Sequence, residues 1–458
     1  MSGPPPSNAE TVVRAASALV AGRLQPAVLT IRGGRFATVA PGPFEGPADV
    51  PPGVHLLPGI VDSHVHVNEP GRTSWEGFAT ATEAAARGGI TCIVDMPLNS
   101  VPATVDRAAL DAKRAAAAAA RPLVDVGFWG GAIPGNLGAL RPLWDAGVFG
   151  FKCFLCDSGV PEFPSLDAEQ LGAAMREIAR FGGLLLVHAE DPSVLAAAPT
   201  GASPRFRDFA ASRPDEAEVA AIKRVLDGVR SFGTRTHVVH LSTARALDDL
   251  AAARAEGLPV TVETCPHYLV FDVDGLPDGA PEFKCCPPIR DRGNQAALWQ
   301  ALRDGIIDCI VSDHSPAPEQ EKRRGGGDLQ QAWGGIAGLQ MSFLAVADAA
   351  ARRGLDVADV SRWMAAGPAR VIGLPSKGAI EPGRDADLVW YDPHGSTAVT
   401  EGVVAHRHAL SAYTGRVFDG SVRRTLVRGA TVVDGERVSG CTATLVARPG
   451  AALAACPR

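Results

Sequence analysis

Eight short apolar runs alternate along this chain with longer segments whose apolar positions recur at helical spacing. The runs are LLPGIVDSHVH, ITCIVDMPL, VDVGFWGG, VFGFKCFL, LLLVHAE, THVVHLS, PVTVETC and IDCIVSDHS. The segments between them include SWEGFATATEAAARGG and DEAEVAAIKRVLDGVRSFG, which end in glycine as helices commonly do. Strands that are almost wholly apolar are covered on both faces, and eight βα repeats close a parallel barrel. The pattern therefore predicts an α/β fold built on a (β/α)8 TIM-type barrel.

The two ends of the chain have a different pattern, with short strands, turn signals and little helix. These strands include AVLTIRGGRFATVA near the N-terminus, and ADLVWYDP and RRTLVRGATVVDG near the C-terminus. An N-terminal unit of about 50 residues would bury too little core to be stable alone. We therefore predict that residues 1–57 and 376–458 form one small β-sandwich domain beside a barrel of residues 58–375. We also expect residues 318–332 to form a mobile loop and the tail ARPGAALAACPR to be flexible.

Charge and cysteine content narrow the choice of partners. Lys+Arg 44 against Asp+Glu 50 gives a net charge of −6, so no basic excess would attract nucleic acid. No stretch approaches the ~20 apolar residues of a membrane span, and the start MSGPPPSNAE lacks the basic and apolar regions of a secretory signal. The nine cysteines show no paired CxxC spacing, which favours reduced, buried thiols. We expect a cytoplasmic protein with a small-molecule substrate and no nucleic-acid or membrane partner.

In a barrel of this kind the active site lies at the C-terminal ends of the strands, where this chain carries metal-ligand residue types. Strand one ends in His64-Val65-His66, and residues two apart in a strand project on the same side, so both imidazoles can face one ion. The other candidates are Lys152 in strand four, His188 after strand five, His240 after strand six and Asp313 after strand eight. An isolated histidine pair is often an ordinary surface feature. Ligand types at five strand ends are improbable by chance and predict a metal centre.

Lys152 is the most informative of these residues because the chain has only six lysines. The run GFKCFL places it inside an apolar strand, where burying an ammonium costs several kcal/mol unless the group is paired or chemically changed. Taken alone, it could be a snorkelling stem or half of an ion pair. Beside four histidines and an aspartate, a carbamate formed from carbon dioxide is favoured, because an anionic carbamate can bridge two cations.

These residues resemble the cyclic amidohydrolases of the amidohydrolase superfamily, over nearly the whole barrel and the returning β segment. The stretches that carry the resemblance are DSHVHVNEPGRTSWEGF, DMPLNSVPATVDR, GFKCF, VHAED, HVVHLSTA, ETCPHYL, KCCPPIRD, DCIVSDHSPAP and WGGIAGLQ. Within that family, EPGRTSWEGF, DMPLN and SDHSPAP followed by WGGIAGLQ look like the allantoinases. The resemblance implies hydrolytic opening of the hydantoin ring of allantoin to allantoate, in purine catabolism, by a homotetramer.

The resemblance also implies a binuclear metal site. Its ligands would be His64, His66 and Asp313 for one divalent ion, His188 and His240 for the other, and carboxylated Lys152 together with a hydroxide for both. Two cations lower the pKa of water enough to give hydroxide near pH 7, and Asp313 would carry its proton to the departing ring nitrogen. Histidine and oxygen ligands suit zinc, iron, cobalt, manganese or nickel, with zinc as the default.

Position 68 bears on the choice of substrate. The similar dihydroorotases have an arginine two residues after the second histidine of the HxH motif, where it binds the substrate carboxylate, and this chain has Asn68. An uncharged ureido-hydantoin needs hydrogen-bond partners rather than a guanidinium. Further candidate substrate contacts are Asn99, Cys286 and Ser315, each of which could instead have a structural role. His267 is a strand-end histidine outside the metal set, and we expect it to orient a neighbour by hydrogen bonding or to lie satisfied in the core.

Other functions stay open at this point. D-hydantoinases and dihydropyrimidinases share the ligand set, and the stretch EPGRTSWEGF is what favours an allantoinase over them. A metal-free scaffold protein of the same fold would be expected to have lost ligands, and all six positions remain here. A metal-dependent cyclic amidohydrolase is therefore preferred.

Overall fold

A computed structural model describes residues 10–440 and 443–451. The strands in these residues are β1 (Thr11–Val20), β2 (Arg23–Arg32), β3 (Arg35–Pro41), β4 (His55–Pro58), β5 (Ile60–Val65), β6 (Ile90–Asp95), β7 (Asp125–Phe128), β8 (Gly130–Gly131), β9 (Phe151–Phe154), β10 (Leu184–His188), β11 (Arg235–Val238), β12 (Val260–Thr264), β13 (Cys309–Ile310), β14 (Leu388–Ala398), β15 (Val417–Val427), β16 (Ala430–Asp434) and β17 (Arg437–Val438).

The α-helices in the same residues are α1 (Phe78–Arg87), α2 (Arg107–Ala120), α3 (Arg141–Asp145), α4 (Ala168–Ala179), α5 (Pro192–Ala197), α6 (Phe206–Ser212), α7 (Asp215–Phe232), α8 (Leu247–Ala255), α9 (Pro266–Val270), α10 (Arg292–Arg303), α11 (Glu319–Lys322), α12 (Ser342–Ala351), α13 (Val357–Ser361) and α14 (Gly367–Val371). A π-helical turn, Arg362–Ala366, separates α13 from α14. Among the helices of residues 10–440 and 443–451, none is both long and apolar enough to span a bilayer.

Each of the eight apolar runs contains a strand, and neighbouring strands are parallel. β5, β6 and β7 form a three-stranded sheet, and β8 to β13 form a six-stranded sheet in which each strand pairs with the next in sequence. β7 and β8 belong to the same run and are separated only by Trp129. Helices alternate with the strands, so the predicted α/β fold with parallel strands is confirmed.

The segment that follows the last strand of this series contacts the first strand. The amide of His66, just after β5, donates to the carbonyl of His314 at 2.8 Å, and Val65 and His314 form a parallel bridge. The carboxylate of Asp62, in β5, accepts the amide of Ser312 at 3.0 Å. These bonds bring the HxH motif beside the segment that follows β13.

The helices cover the strands through one apolar face each, as α4 illustrates. Its buried residues Leu171, Ala174, Met175 and Ile178 recur at helical spacing. Asp167 caps the first turn by accepting the amide of Gln170, whose side chain binds back to the Asp167 amide. Each large apolar side chain buried in this way stabilises the fold by about 1.5–3 kcal/mol.

Strands from the two chain ends lie in one sheet. β14 pairs antiparallel with β4, and β4 pairs parallel with β1. The sheet has eight strands in the order β17-β16-β15-β14-β4-β1-β2-β3. The chain ends therefore come together, while a two-sheet sandwich stays a prediction.

Three smaller expectations have different outcomes. The seven cysteines in the described part of the chain are free thiols, and all but Cys286 are buried. Residues 318–332 contain α11, and their mobility stays a prediction. Residues 452–458 of the tail expected to be flexible lie outside the described residues.

A buried lysine joins the eight-stranded sheet to β7. Lys377 donates to Asp125 of β7 at 2.5 Å and to Asp387, just before β14, at 2.6 Å. Arg428 donates to the same Asp125 at 2.6 Å. The side chains of Lys377, Asp125 and Asp387 are all buried, so their ion pairs are shielded from water.

We expect Lys377→Met to lower the free energy of unfolding by about 3–5 kcal/mol, because it removes the cation that binds the buried carboxylate of Asp387. The exposed Lys223 offers a matched control, and Lys223→Met should change that free energy by no more than about 0.5 kcal/mol. Urea denaturation of both variants measures the difference. Equal stability of the two variants would show that the buried network contributes nothing.

Candidate active site

The predicted ligand residues surround one cavity of about 400 Å³. They reach it from β5, β9 and β10 and from the residues just after β5, β11 and β13. The cavity lining includes His64, His66, Lys152, His188, His240 and Asp313. All six side chains are buried, so charges placed here would interact strongly.

One group of donors consists of His64, His66 and Asp313. A carboxylate oxygen of Asp313 lies 3.1 Å from Nε2 of His64 and 3.5 Å from Nε2 of His66. One ligand atom from each residue lies within 4.8 Å of the others. Burial opposes the charge on Asp313, but the two imidazoles hold its pKa well below the usual range. Asp313 is therefore an anion at neutral pH.

A second pair of donors consists of His188 and His240. The Nδ1 atom of His188 lies 3.0 Å from the Nε2 atom of His240. Burial lowers the pKa of both imidazoles, so each ring is neutral near pH 7 and keeps a lone pair. The ring of Phe154 stacks on His188 with a centroid distance of 4.6 Å. This apolar contact holds the imidazole in place while its nitrogens bind other groups.

Lys152 lies in β9 with its side chain 1% exposed, which excludes a snorkelling stem. Within residues 10–440 and 443–451, no carboxylate lies at ion-pair distance from its Nζ atom, which is 5.1 Å from the ring centroid of Phe154. Burial lowers the pKa of Lys152 to about 8, against the opposing effect of Asp313 and Glu263. Neither ordinary explanation of a buried lysine therefore fits this residue.

Two carboxylates that the sequence analysis did not assign orient the histidines. Glu263 lies 2.5 Å from Nδ1 of His64, and Glu190 lies 2.7 Å from Nε2 of His188. In a neutral imidazole, the nitrogen beside a carboxylate carries the hydrogen, so the lone pair that can bind a metal is on Nε2 of His64 and on Nδ1 of His188. Glu263 also binds Nε2 of His237 at 2.9 Å. The sequence feature that could have identified Glu263 and Glu190 is their position, because each lies at the end of a strand or just after it.

The donor set fits a divalent cation. Nε2 of His64 is buried without a hydrogen-bond partner among the described residues. Although burial lowers the pKa of His64, Asp313 and Glu263 raise it to about 9, so this part of the site attracts positive charge. Imidazole and carboxylate are common ligands of zinc and of several other divalent metals.

Three of the four predicted substrate contacts line the cavity, namely Asn99, Cys286 and Ser315. Asn99 Nδ2 also lies 3.4 Å from Nδ1 of His66. Asn68 does not line the cavity: its amide donates to the carbonyl of Pro316 at 3.2 Å. Its role in substrate binding stays a prediction.

His267 is buried beside the site. Within the described residues neither ring nitrogen has a hydrogen-bond partner, although both are buried. The ring packs edge-on against Tyr268 at 4.3 Å. Among the described residues no side chain or backbone group therefore binds the His267 ring nitrogens, and the role of His267 stays a prediction.

Four residues around the site have the positive φ angles that side chains other than glycine rarely adopt: Asn68 (66°), Asn99 (68°), His240 (39°) and Asp313 (45°). Such backbone persists only where the surroundings fix it, and it is concentrated at functional sites. The strained positions here include two of the candidate ligands.

Comparison with known proteins agrees with this geometry. The amidohydrolase family matches residues 55–432. A curated allantoinase of Streptomyces avermitilis is 52% identical over 436 residues, which cover 94% of this chain and 97% of that protein. An allantoinase of Saccharomyces cerevisiae is 43% identical over 387 residues, 82% of each chain. Among solved structures, the L-hydantoinase (dihydropyrimidinase) of Arthrobacter aurescens has a TM-score of 0.88 at 29% identity and covers 95% of this chain and 99% of its own.

Proposed function

Because this chain belongs to the amidohydrolase family, we propose that it hydrolyses the hydantoin ring of allantoin to give allantoate. It is a hydrolase that acts on cyclic amides. The observation that carries the choice of allantoin is the identity of 39–52% to curated allantoinases over most of the chain. The cavity around the six candidate ligands supports it, because cyclic amide hydrolysis needs activated water beside a bound carbonyl.

The donor geometry supports a binuclear metal site. The ligands would be His64, His66 and Asp313 for one ion, His188 and His240 for the other, and carboxylated Lys152 for both. When bound, two divalent ions, with zinc as the default, make water nucleophilic near neutral pH and polarise the ring carbonyl. The carbamate on Lys152 is supported by its burial without a carboxylate partner, since a bridging anion would remove the cost of burying an ammonium.

The chain's own residues would then handle the proton and the substrate. Asp313 is anionic and would accept the proton of the attacking water, then deliver it to the departing ring nitrogen. Asn99, Cys286 and Ser315 line the cavity and would hold the ring by hydrogen bonds. The burial of the ligands limits competing water, which strengthens each polar contact with the substrate.

The same proposal extends to architecture. The pairing between Val65 and His314 and the continuity of β7 with β8 support a closed (β/α)8 barrel. Domain limits at residues 57/58 and 375/376 are part of the proposal. A division close to these limits is supported by the sheet that each strand joins, because β4, which ends at Pro58, and β14 belong to the eight-stranded sheet and β5 does not. The β-sandwich form of that sheet and a homotetramer are further parts of the proposal.

A substrate panel tests the function. Metal-loaded protein is incubated separately with allantoin, hydantoin, dihydrouracil and dihydroorotate, and ring opening is followed for each. We expect allantoin to have the highest kcat/KM and dihydroorotate to fall about two to four orders of magnitude lower. Position 68 lacks an arginine, and a buried carboxylate without its cation costs about 3–5 kcal/mol. At about 1.4 kcal/mol per tenfold change, this cost corresponds to about two to four orders of magnitude in kcat/KM.

Besides Lys152, two cations line the cavity, Arg213 and Lys284, and both are already engaged. Arg213 binds the carboxylate of Glu190, and Lys284 binds backbone carbonyls. Opening of dihydroorotate or dihydrouracil as fast as allantoin would therefore contradict the proposed substrate.

A further inference from the structure

Residues 330–335 form one wall of the cavity without being part of a helix or a strand. All six of these residues line the cavity, so their backbone decides its shape on that side. We call this segment the wall. A segment without helical or sheet hydrogen bonds needs other groups to satisfy its carbonyls and fix its conformation.

Two buried lysines supply those hydrogen bonds. Lys284 Nζ donates to the carbonyls of Ala332 at 2.5 Å and Gln330 at 3.3 Å. Lys322 Nζ donates to the carbonyl of Trp333 at 3.2 Å and to that of Gly335. Together the two side chains bind four of the six carbonyls of the wall.

This use of lysine is unusual in the chain. Five of its six lysines are buried, and Lys113 and Lys377 have carboxylate partners. Within the described residues, Lys284 and Lys322 form no ion pair, so their charge is balanced by backbone carbonyls and, for Lys284, by the ring of Phe209 at 5.0 Å. Burial lowers the pKa of Lys322 to about 7. Because burying two lysines without carboxylate partners is costly, we expect their hydrogen bonds to fix the conformation of the wall.

The wall is fitted closely to its surroundings. Gly335 has φ of 107°, and a Cβ atom there would lie 2.5 Å from the carbonyl oxygen of Ser315. The Gly335 amide donates to the Lys284 carbonyl at 2.8 Å. Trp333 packs edge-on against Trp75 with a centroid distance of 4.9 Å. A shift of the wall would therefore disturb Ser315, one of the proposed substrate contacts.

We propose that Lys284 and Lys322 are positioning residues, whose side chains hold the wall in the conformation that binds substrate. The inference rests on the proposed function for its kinetic part, and on the wall contacts alone for its structural part. Lys322 gives the sharper test, since it does not line the cavity and can act on substrate only through the wall.

Lys322→Met should raise KM for allantoin enough to lower kcat/KM about tenfold to a hundredfold, with kcat much less affected. Amide hydrogen exchange in residues 328–336 should become faster, while the metal content stays that of the wild type. Lys322→Arg, which keeps donors for both carbonyls, should recover most of the lost affinity. Lys223→Met, which removes an exposed lysine, should leave all of these measurements unchanged.

Unchanged exchange in residues 328–336 of Lys322→Met would overturn the proposal, as would a loss of metal that accounts for the lost activity. If Lys322→Met does not fold, Lys322→Gln is measured against the same criteria. If the wild-type protein opens no cyclic amide, the proposed function fails, and hydrogen exchange alone then decides whether Lys322 holds the wall.

Discussion

Lys152→Ala is expected to lose its metal and to hydrolyse allantoin more than about 100-fold more slowly than the wild type, since even partners of metal ligands are worth 10–100-fold. The lysine lies among candidate ligands from both ion sites, and a carbamate there would be attracted by both cations, whereas an ammonium would be repelled by both. Removing the side chain leaves the cavity without that bridging anion. Elemental analysis and initial rates measure the two losses separately.

Short carboxylic acids provide a second arm of this experiment. Acetate or propionate can enter the space left by the side chain and supply two oxygen atoms in place of the carbamate. We expect them to restore part of the metal content and part of the rate. Lys152→Ala that stays fully loaded and active without any added acid would show that Lys152 is not a ligand.

Asp313→Asn is expected to keep the fold and lose most turnover. General acid–base groups contribute typically about 10²–10⁴ in rate, and the amide would also be a weaker ligand than the carboxylate. Circular dichroism checks the fold, and initial rates with allantoin measure the loss. Asn is close in size to Asp, so packing around His64 and His66 should be little changed.

A rate above about a tenth of the wild-type value, well short of the usual loss of a general base, would point to another proton carrier. His314 would then be the next residue to test. Its Nδ1 already accepts the amide of Gly338 at 3.2 Å, and its Nε2 lies 3.3 Å from Glu76. These partners leave the ring little freedom to move a proton, which favours Asp313.

Most of the parallel strands could be predicted because they are runs of mainly apolar residues that are buried on both faces. β6 is an example, since every residue of ITCIVD is buried. The ligand positions followed from the strands, because side chains at the ends of parallel strands meet at one edge. Local sequence therefore indicated both the elements and the residues gathered around the cavity.

Contacts between residues distant in sequence could not be predicted in the same way. Glu263 meets His64 across 199 positions, and Lys284 binds the carbonyl of Ala332 across 48 positions. Asn68 is close to the HxH motif in sequence, yet its side chain does not line the cavity. Its backbone has a positive φ angle, and its side-chain amide donates to the carbonyl of Pro316. The direction in which such a side chain points depends on the backbone conformation of the turn, and the types of the neighbouring residues alone do not indicate that conformation.

Metal titration of the metal-free protein, with allantoin turnover as the readout, tests the proposed hydrolytic centre most directly. Chelation should abolish the activity, and divalent zinc added back should restore it with an end point of two ions per chain by elemental analysis. Full activity with one ion or none per chain would contradict the binuclear site, and no turnover of allantoin at any metal content would contradict the proposed function.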